Sequence, residues 1–239
     1  MKTYIEKKFF NKYWGWFTPP KDVVGVDIAN FFSYERCDIE GFNRSESLTS
    51  IIDLSRSIEE IWEGMRISFI RKQIEQGKRR GIIVEKGGNF KSFYKLYREF
   101  SLHIGFGRVA AKSLQEQGIL FTSSYDDKLL AGGVFIGDGQ SLRAWVLAST
   151  RFENEGRMRD IIGESSRMIL WEALCWAKEN NYRTFDMGGI APDSDSLGIR
   201  HVSEFKESFG GTRTMSYYYY KIYSPILNLW MRVRHHLFR

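Results

Sequence analysis

Two hydrophobic periods alternate along the chain. Between residues 119 and 149 the apolar residues fall in short runs, LLAGGVFI and SLRAWVLAS, split by Asp126-Asp127 and by Gly137-Asp138-Gly139. Such runs joined by turn residues predict an antiparallel meander. On either side the spacing lengthens to three and four. Ile58, Ile61, Trp62, Met65 and Phe69 share one helical face, behind Ser55 or Ser57 as a cap and with Glu59 and Glu60 in the first turn. Asn89 can cap a second helix that buries Phe90, Phe93, Tyr94, Tyr97 and Phe100. Residues 167–178, RMILWEALCWAK, are apolar nearly all round, which predicts a helix between the sheet and another layer, with Trp171 and Trp176 in the core. Further strands are expected at 22–32, 50–54 and 81–85, the last followed by a Gly87-Gly88 turn, and at 212–223, where YYYY puts tyrosines on both faces. Residues 1–20 mix Lys, Phe, Tyr and Trp and read as an arm packed on the domain. The class is α/β, a mixed, mainly antiparallel sheet flanked by helices.

One stretch organises the rest, YRTFDMGGIAPDSDSLGIRHVSEFKESFGG at 182–211. Phe185 and Met187 alternate as in a short buried strand, and the pair Gly188-Gly189 is expected to end it, bringing bare backbone close to a ligand. An acidic loop with Asp193 and Asp195 follows. Val202, Phe205 and Phe209 then mark the apolar stripe of a helix, Lys206 lies beside that stripe, and Gly210-Gly211 closes it.

Composition narrows the class. A chain of 239 residues can bury a large core, and 43% hydrophobic with 15% aromatic residues describes a folded protein. The excess of 35 basic over 29 acidic residues biases it toward polyanions. Part of that charge gathers around the first helix, at Arg66, Arg71, Lys72, Lys78, Arg79 and Arg80, either as a solvated face or as a surface for tRNA or nucleotide phosphates. The two cysteines, Cys37 and Cys175, have no metal-ligand or disulfide spacing, and the four histidines show no zinc pattern. No signal peptide or membrane span is predicted, so a cytoplasmic protein is expected. Residues 224–239 read as a basic amphipathic helix, docked on the domain or resting on the inner face of an anionic membrane.

The segments FDMGGI and GIRHVSEFKESFGG resemble the C-terminal hallmark of the Fem-type peptidoglycan bridge-forming aminoacyltransferases. The block TSIIDLSRSIEEIWEGMRISFIRKQIEQGKRRGIIVE at 49–85 is similar to the start of that family's second GNAT domain. The resemblance implies a GNAT-like catalytic domain over 48–223, with 1–47 as an appendage left from a first domain. It implies transfer of an amino acid from aminoacyl-tRNA, as co-substrate and without a cofactor, to an amine of a cell-wall precursor or envelope glycan. It gives Lys206 the task of stabilising the oxyanion, with Phe205 shaping the pocket. Arg108, with Lys112 beside it, falls where the family binds its acceptor, and Asp186, Gly188 and Gly189 line the substrate site. Arg66, Arg71, Lys72, Arg79 and Arg80 become the tRNA surface. The front domain being incomplete, the chain would either take a smaller acceptor or complete the cleft with a partner subunit or a second copy.

Two rivals remain. An acyl-CoA-dependent N-acyltransferase acting on an amino sugar would need a [RQ]xxGx[GA] loop before the helix, whereas 159–163 is one residue too long for it and Glu164 adds a negative charge. A non-catalytic tRNA- or membrane-binding relative would have no use for Lys206. The proton of the attacking amine could go to Asp186, Asp193 or Asp195, or to a group on the substrate.

Overall fold

The computed structural model describes residues 1–7, 9–105 and 107–229. The predicted C-terminal helix beyond Leu229, with Trp230, Arg232, Val233, Arg234, His235, His236, Leu237 and Arg239, lies outside the described residues. The chain forms two compact units, one of residues 1–49 with 214–239, the other of residues 50–213.

In the first unit, strands β1 (Lys2–Lys7) and β2 (Asn11–Trp16) form an antiparallel hairpin, so the N-terminal residues are sheet rather than a packed arm. Alternating exposed and part-buried positions along β1 explain this: the residues fit a half-covered strand. β2 then runs parallel to β3 (Ile28–Ser33), a shorter strand than the expected 22–32 because residues 22–27 form the loop leading to it. The last strand, β10 (Thr212–Ile222), pairs antiparallel with β3 and carries tyrosines to both faces as expected. Tyr219 is buried with Ala29 and Phe31, and its hydroxyl donates to the Glu35 carbonyl and accepts from the Cys37 N–H. From Thr214 onward β10 therefore belongs to this unit, not to the domain read as 48–223.

Strand β4 (Asn43–Asp53) leads into the second unit. There its end is followed across the sheet by β9 (Thr184–Ile190), β8 (Ser141–Ser149), β7 (Lys128–Gly137), β6 (Ile119–Tyr125) and β5 (Ile83–Lys86). The meander β6–β7–β8 is antiparallel, as its turn residues predict. Helices α1 (Ile58–Gly64), α2 (Lys72–Arg80) and the 24-residue α5 (Gly156–Glu179) share one core. Helices α3 (Phe90–Ile104) and α4 (Ala111–Gln117) share another. Neighbouring glycines on β7 fix the sides. A Cβ on Gly132 would strike the α3 residue Phe93 at 2.4 Å, and one on Gly133 would lie 3.3 Å from Ile169 of α5. Successive strand residues face opposite ways, so α3 and α5 cover opposite faces of the sheet.

The caps are as read. Ser57 and Glu60 form a reciprocal capping box on α1, and the Asn89 side chain accepts from the Ser92 N–H. The single apolar face spanning 58–69 is not one helix, however. The chain is extended at Met65, then makes a π-helical turn at Ile67–Arg71 before α2 begins. The break follows from backbone docking. The Arg66 N–H donates to the Ser208 carbonyl at 2.9 Å instead of continuing the helix, and Gly210 packs so tightly on Gly64 that a Cβ would lie 2.6 Å from its carbonyl oxygen.

Candidate active site

Strands β8 and β9 run parallel and stay paired for only three residues, ending at Arg143 opposite Asp186. Two irregularities drive them apart. β8 bulges at Trp145, which the register against β7 skips, and β9 takes a left-handed turn at Gly188, φ +83°. The paired glycines therefore kink β9 rather than end it, and the strand runs on to Ile190. A Cβ at Gly188 would sit 3.1 Å from the Ala144 carbonyl oxygen and 3.3 Å from the Lys206 ammonium, so the position accepts glycine for both conformation and space. Gly188→Ala is expected to cost about 1–3 kcal/mol through the φ strain alone. It should also displace Lys206, so chemical denaturation and turnover should both register the change.

The fork is held by a buried ion pair. Asp186 is fully buried, and its carboxylate accepts from the Gly188 N–H at 2.7 Å and from the Arg143 guanidinium, itself buried in β8. One carboxylate oxygen thus shapes the kink and the other ties the two strands at their last paired position. With both oxygens engaged, Asp186 serves as a brace. Asp193 and Asp195 sit on the exposed loop that follows β9, and the Asp195 main-chain carbonyl accepts from Arg200.

Helix α6 (Leu197–Glu207) delivers Lys206 to this fork. Its buried side differs from the predicted stripe: Val202 is 51% exposed, while Ser203 is buried and bonds the Ala191 N–H at 2.8 Å, fastening the helix to the end of β9. Local backbone bonding thus overrides the apolar spacing. Phe209 is buried as expected, edge-on to Phe205 at 5.6 Å. Arg66 adds an ion pair to Glu204 at 2.6 Å. Held in this way, the half-buried Lys206 donates from Nζ to the Gly189 carbonyl at 2.7 Å, beside the kink. Burial pushes its ammonium down to about 8; the nearby Arg143 charge adds to the shift and Asp186 opposes it.

The other predicted residues are distributed more widely. Arg108 is exposed in the loop before α4, and Lys112 is exposed on α4, 3.8 Å from Glu116. Of the basic residues on 66–80, Arg66 is paired with Glu204, Lys78 lies 3.9 Å from Glu172, and Arg80 lies 3.0 Å from Glu164. Arg71, Lys72 and Arg79 have no ion pair among the described residues. Residues 159–163, which depart from the acyl-CoA loop pattern, lie inside α5, which starts at Gly156 behind Glu155. Reading the sequence alone missed Arg143, although a charged residue within the buried run SLRAWVLAS, like the aspartate in TFDMGG, requires a partner. A hollow of about 360 Å³ lined by Gly64, Arg66, Glu204 and Glu207 lies on the far side of α6, since Glu204 projects roughly 200° around the helix from Lys206. Among the described residues no group of three or more His, Cys, Asp or Glu is placed to hold a metal ion, and no helix is long and apolar enough to cross a membrane.

The antiparallel meander β6–β7–β8, joined to the splayed parallel pair β8–β9 and flanked by helices, gives the second unit a GNAT-type fold. No family model matches the sequence, and no curated relative does. Among solved structures the chain is similar to FemX, with a TM-score of 0.64 and 13% identity over 95% of this chain and 85% of that one. It is also similar to the C-terminal domain of a putative lysylphosphatidylglycerol synthetase from Agrobacterium fabrum, with a TM-score of 0.55 and 12% identity over 92% and 84% of the two chains. L-PGS from Bacillus licheniformis gives a TM-score of 0.55 and 14% identity over 87% of this chain and 72% of that one. The likeness is one of fold, and it runs through most of the chain.

Proposed function

We propose that this protein is an acyltransferase that moves an aminoacyl group from aminoacyl-tRNA to an amine of a cell-wall precursor or envelope glycan. The observation that carries the reading is Lys206, a half-buried ammonium anchored to the Gly189 carbonyl at the fork of β8 and β9. An aminoacyl ester is already activated, so the reaction needs alignment and a cation where charge develops. The amine attacks the ester carbonyl carbon and a C–N bond forms while the carbonyl oxygen becomes an oxyanion facing Lys206. As the oxyanion collapses, the C–O bond to the ribose breaks and the amine's proton passes to the departing ribose oxygen. Lys206 keeps its own proton throughout. The fold shared with FemX and with two lysylphosphatidylglycerol synthetase structures supports the choice of donor.

A coenzyme A donor fits less well. Its pyrophosphate would have to lie at the N-terminus of α5, where Glu153 and Glu155 place two carboxylates and Glu155 is the cap. Binding distinguishes the donors: an aminoacyl-adenosine with an amide in place of the ester should bind the protein, and coenzyme A should not displace it. Tight binding of coenzyme A in competition with that analogue would overturn the reading.

The lowered ammonium of Lys206 gives opposite pH trends for rate and stability. As an electrostatic stabiliser Lys206 must be charged, so kcat should fall as pH rises through about 8. The folded group titrates at about 8 and the ordinary value is 10.5, so between them the unfolded chain holds more protons. This group's contribution to stability therefore rises with pH across that window. A descending limb near pH 8 that persists in Lys206→Ala would assign the pH dependence to another group.

A further inference from the structure

Three connecting segments of the first unit meet at one end of its sheet. β2 runs parallel to β3 with Lys12 opposite Ile28, β10 runs antiparallel to β3 with Ile222 opposite Ile28, and the β1–β2 hairpin closes after Lys7, which pairs with Asn11. The hairpin turn, the loop before β3 and the helical turn at 225–229 after β10 therefore share that end. Asp27 joins all three. Its carboxylate accepts from the Asn11 N–H at 2.8 Å, its N–H donates to the Asn11 carbonyl at 2.9 Å, and its own carbonyl accepts from the N–H groups of Tyr223 and Ser224 at 2.9 and 3.2 Å. The Tyr223 hydroxyl in turn accepts from the Val23 N–H at 3.1 Å.

Beyond this hub each segment offers apolar side chains to solvent. Phe9 in the hairpin turn and Val24 in the loop are fully exposed, and Ile226 and Leu229 are exposed on one face of the helical turn whose Leu227 is buried. In the sequence Trp230, Val233 and Leu237 continue the spacing of Ile226 and Leu229. Single exposed apolar residues are ordinary, whereas a cluster of them drawn from three segments marks a surface that something else covers. The charge around the cluster is basic. Lys7, Lys12 and Lys21 are exposed, the hairpin turn reads KKFFNK, and residues 230–239 include Arg232, Arg234 and Arg239 and no acidic residue. The carboxylates at this end are engaged: Asp27 in the hub, Asp22 with Lys221 at 2.7 Å, and Glu6 across the hairpin from Lys12. Lysine is scarce in the core of protein–protein interfaces, whereas protruding Phe and Leu side chains among lysines and arginines suit the headgroup region of an anionic bilayer.

We propose that this end of the first unit is a membrane-docking site. Phe9, Val24, Ile226 and Leu229 enter the headgroup region of an anionic lipid surface, and Lys7, Lys12 and Lys21 lie against its phosphates. The site is independent of the donor and acceptor of the transfer reaction.

The test is co-sedimentation of the full chain with vesicles of phosphatidylcholine, alone or mixed with phosphatidylglycerol. Each basic residue near an anionic surface is worth about fivefold, so the mixed vesicles should bind at least about tenfold more tightly than the neutral ones, and added salt should weaken that binding. The double variant Phe9→Ser, Val24→Ser should bind the mixed vesicles about fivefold or more weakly, with Tm unchanged because neither side chain is buried. Equal binding to neutral and mixed vesicles, or a double variant that binds like the wild type, would overturn the site. So would a dimer in sedimentation that the double variant dissociates, since that would assign this end to a second copy of the chain. Binding is read without turnover, so a failure of transfer from charged tRNA counts against the proposed reaction alone and a failure of vesicle binding against this site alone.

Discussion

Lys206→Ala is expected to lower kcat and kcat/KM together by about a hundredfold or more, with donor affinity little changed. A hundredfold loss is about 2.7 kcal/mol of transition-state stabilisation, in the range found when one preorganised oxyanion donor is removed. The loss should fall on both parameters because the oxyanion exists only in the transition state. Lys206→Arg should not restore the rate. The Nζ position is set by a single bond to the Gly189 carbonyl beside a glycine with no side chain, and a planar guanidinium does not fit the same space. Phe205→Ala should reduce both rate and stability, since the ring packs on Phe209 and over Arg167. Normal turnover by Lys206→Ala would remove this mechanism.

The second large effect is expected at the brace. Asp186→Ala leaves the Arg143 guanidinium buried without its carboxylate and frees the Gly188 N–H. Breaking one side of a buried pair costs about 3–5 kcal/mol, which for a chain of this size lowers Tm by roughly 10 °C. Arg143→Met combined with Asp186→Leu should cost less than Asp186→Ala, because no charge is then stranded, yet activity should remain low because the kink has lost its hydrogen bond. Thermal melts of the three proteins decide this; a double variant no more stable than Asp186→Ala would show that the pair contributes net stability of its own.

The sequence made the scaffold legible where short-range chemistry decides structure. The capping box at Ser57 and Glu60, the Asn89 cap, the Asp126-Asp127 turn and the β6–β7–β8 meander depend on neighbours in the chain, and each is present. Lys206 was singled out through a resemblance, and it lies on α6 with its Nζ beside Gly188 and Gly189. What escaped was set by distant backbone. The break after Gly64 arises from docking on Ser208 and Gly210, and the register of α6 from a bond between Ser203 and Ala191. Periodicity does not encode either contact. The π-helical turn and the stacking of Arg167 on Phe69 and Phe205 follow from that same break, so they were equally hidden.

The central claim is that the reacting group arrives as an aminoacyl ester and leaves as an amide. The most direct measurement supplies the purified chain with tRNA charged with labelled amino acids, or with labelled acetyl-CoA, together with a panel of amine-bearing cell-wall precursors and glycans, and identifies products by mass. The account predicts an amide-linked aminoacyl product formed with equimolar uncharged tRNA, and no such product with Lys206→Ala. Acetylated product from acetyl-CoA, with charged tRNA left intact, would contradict it.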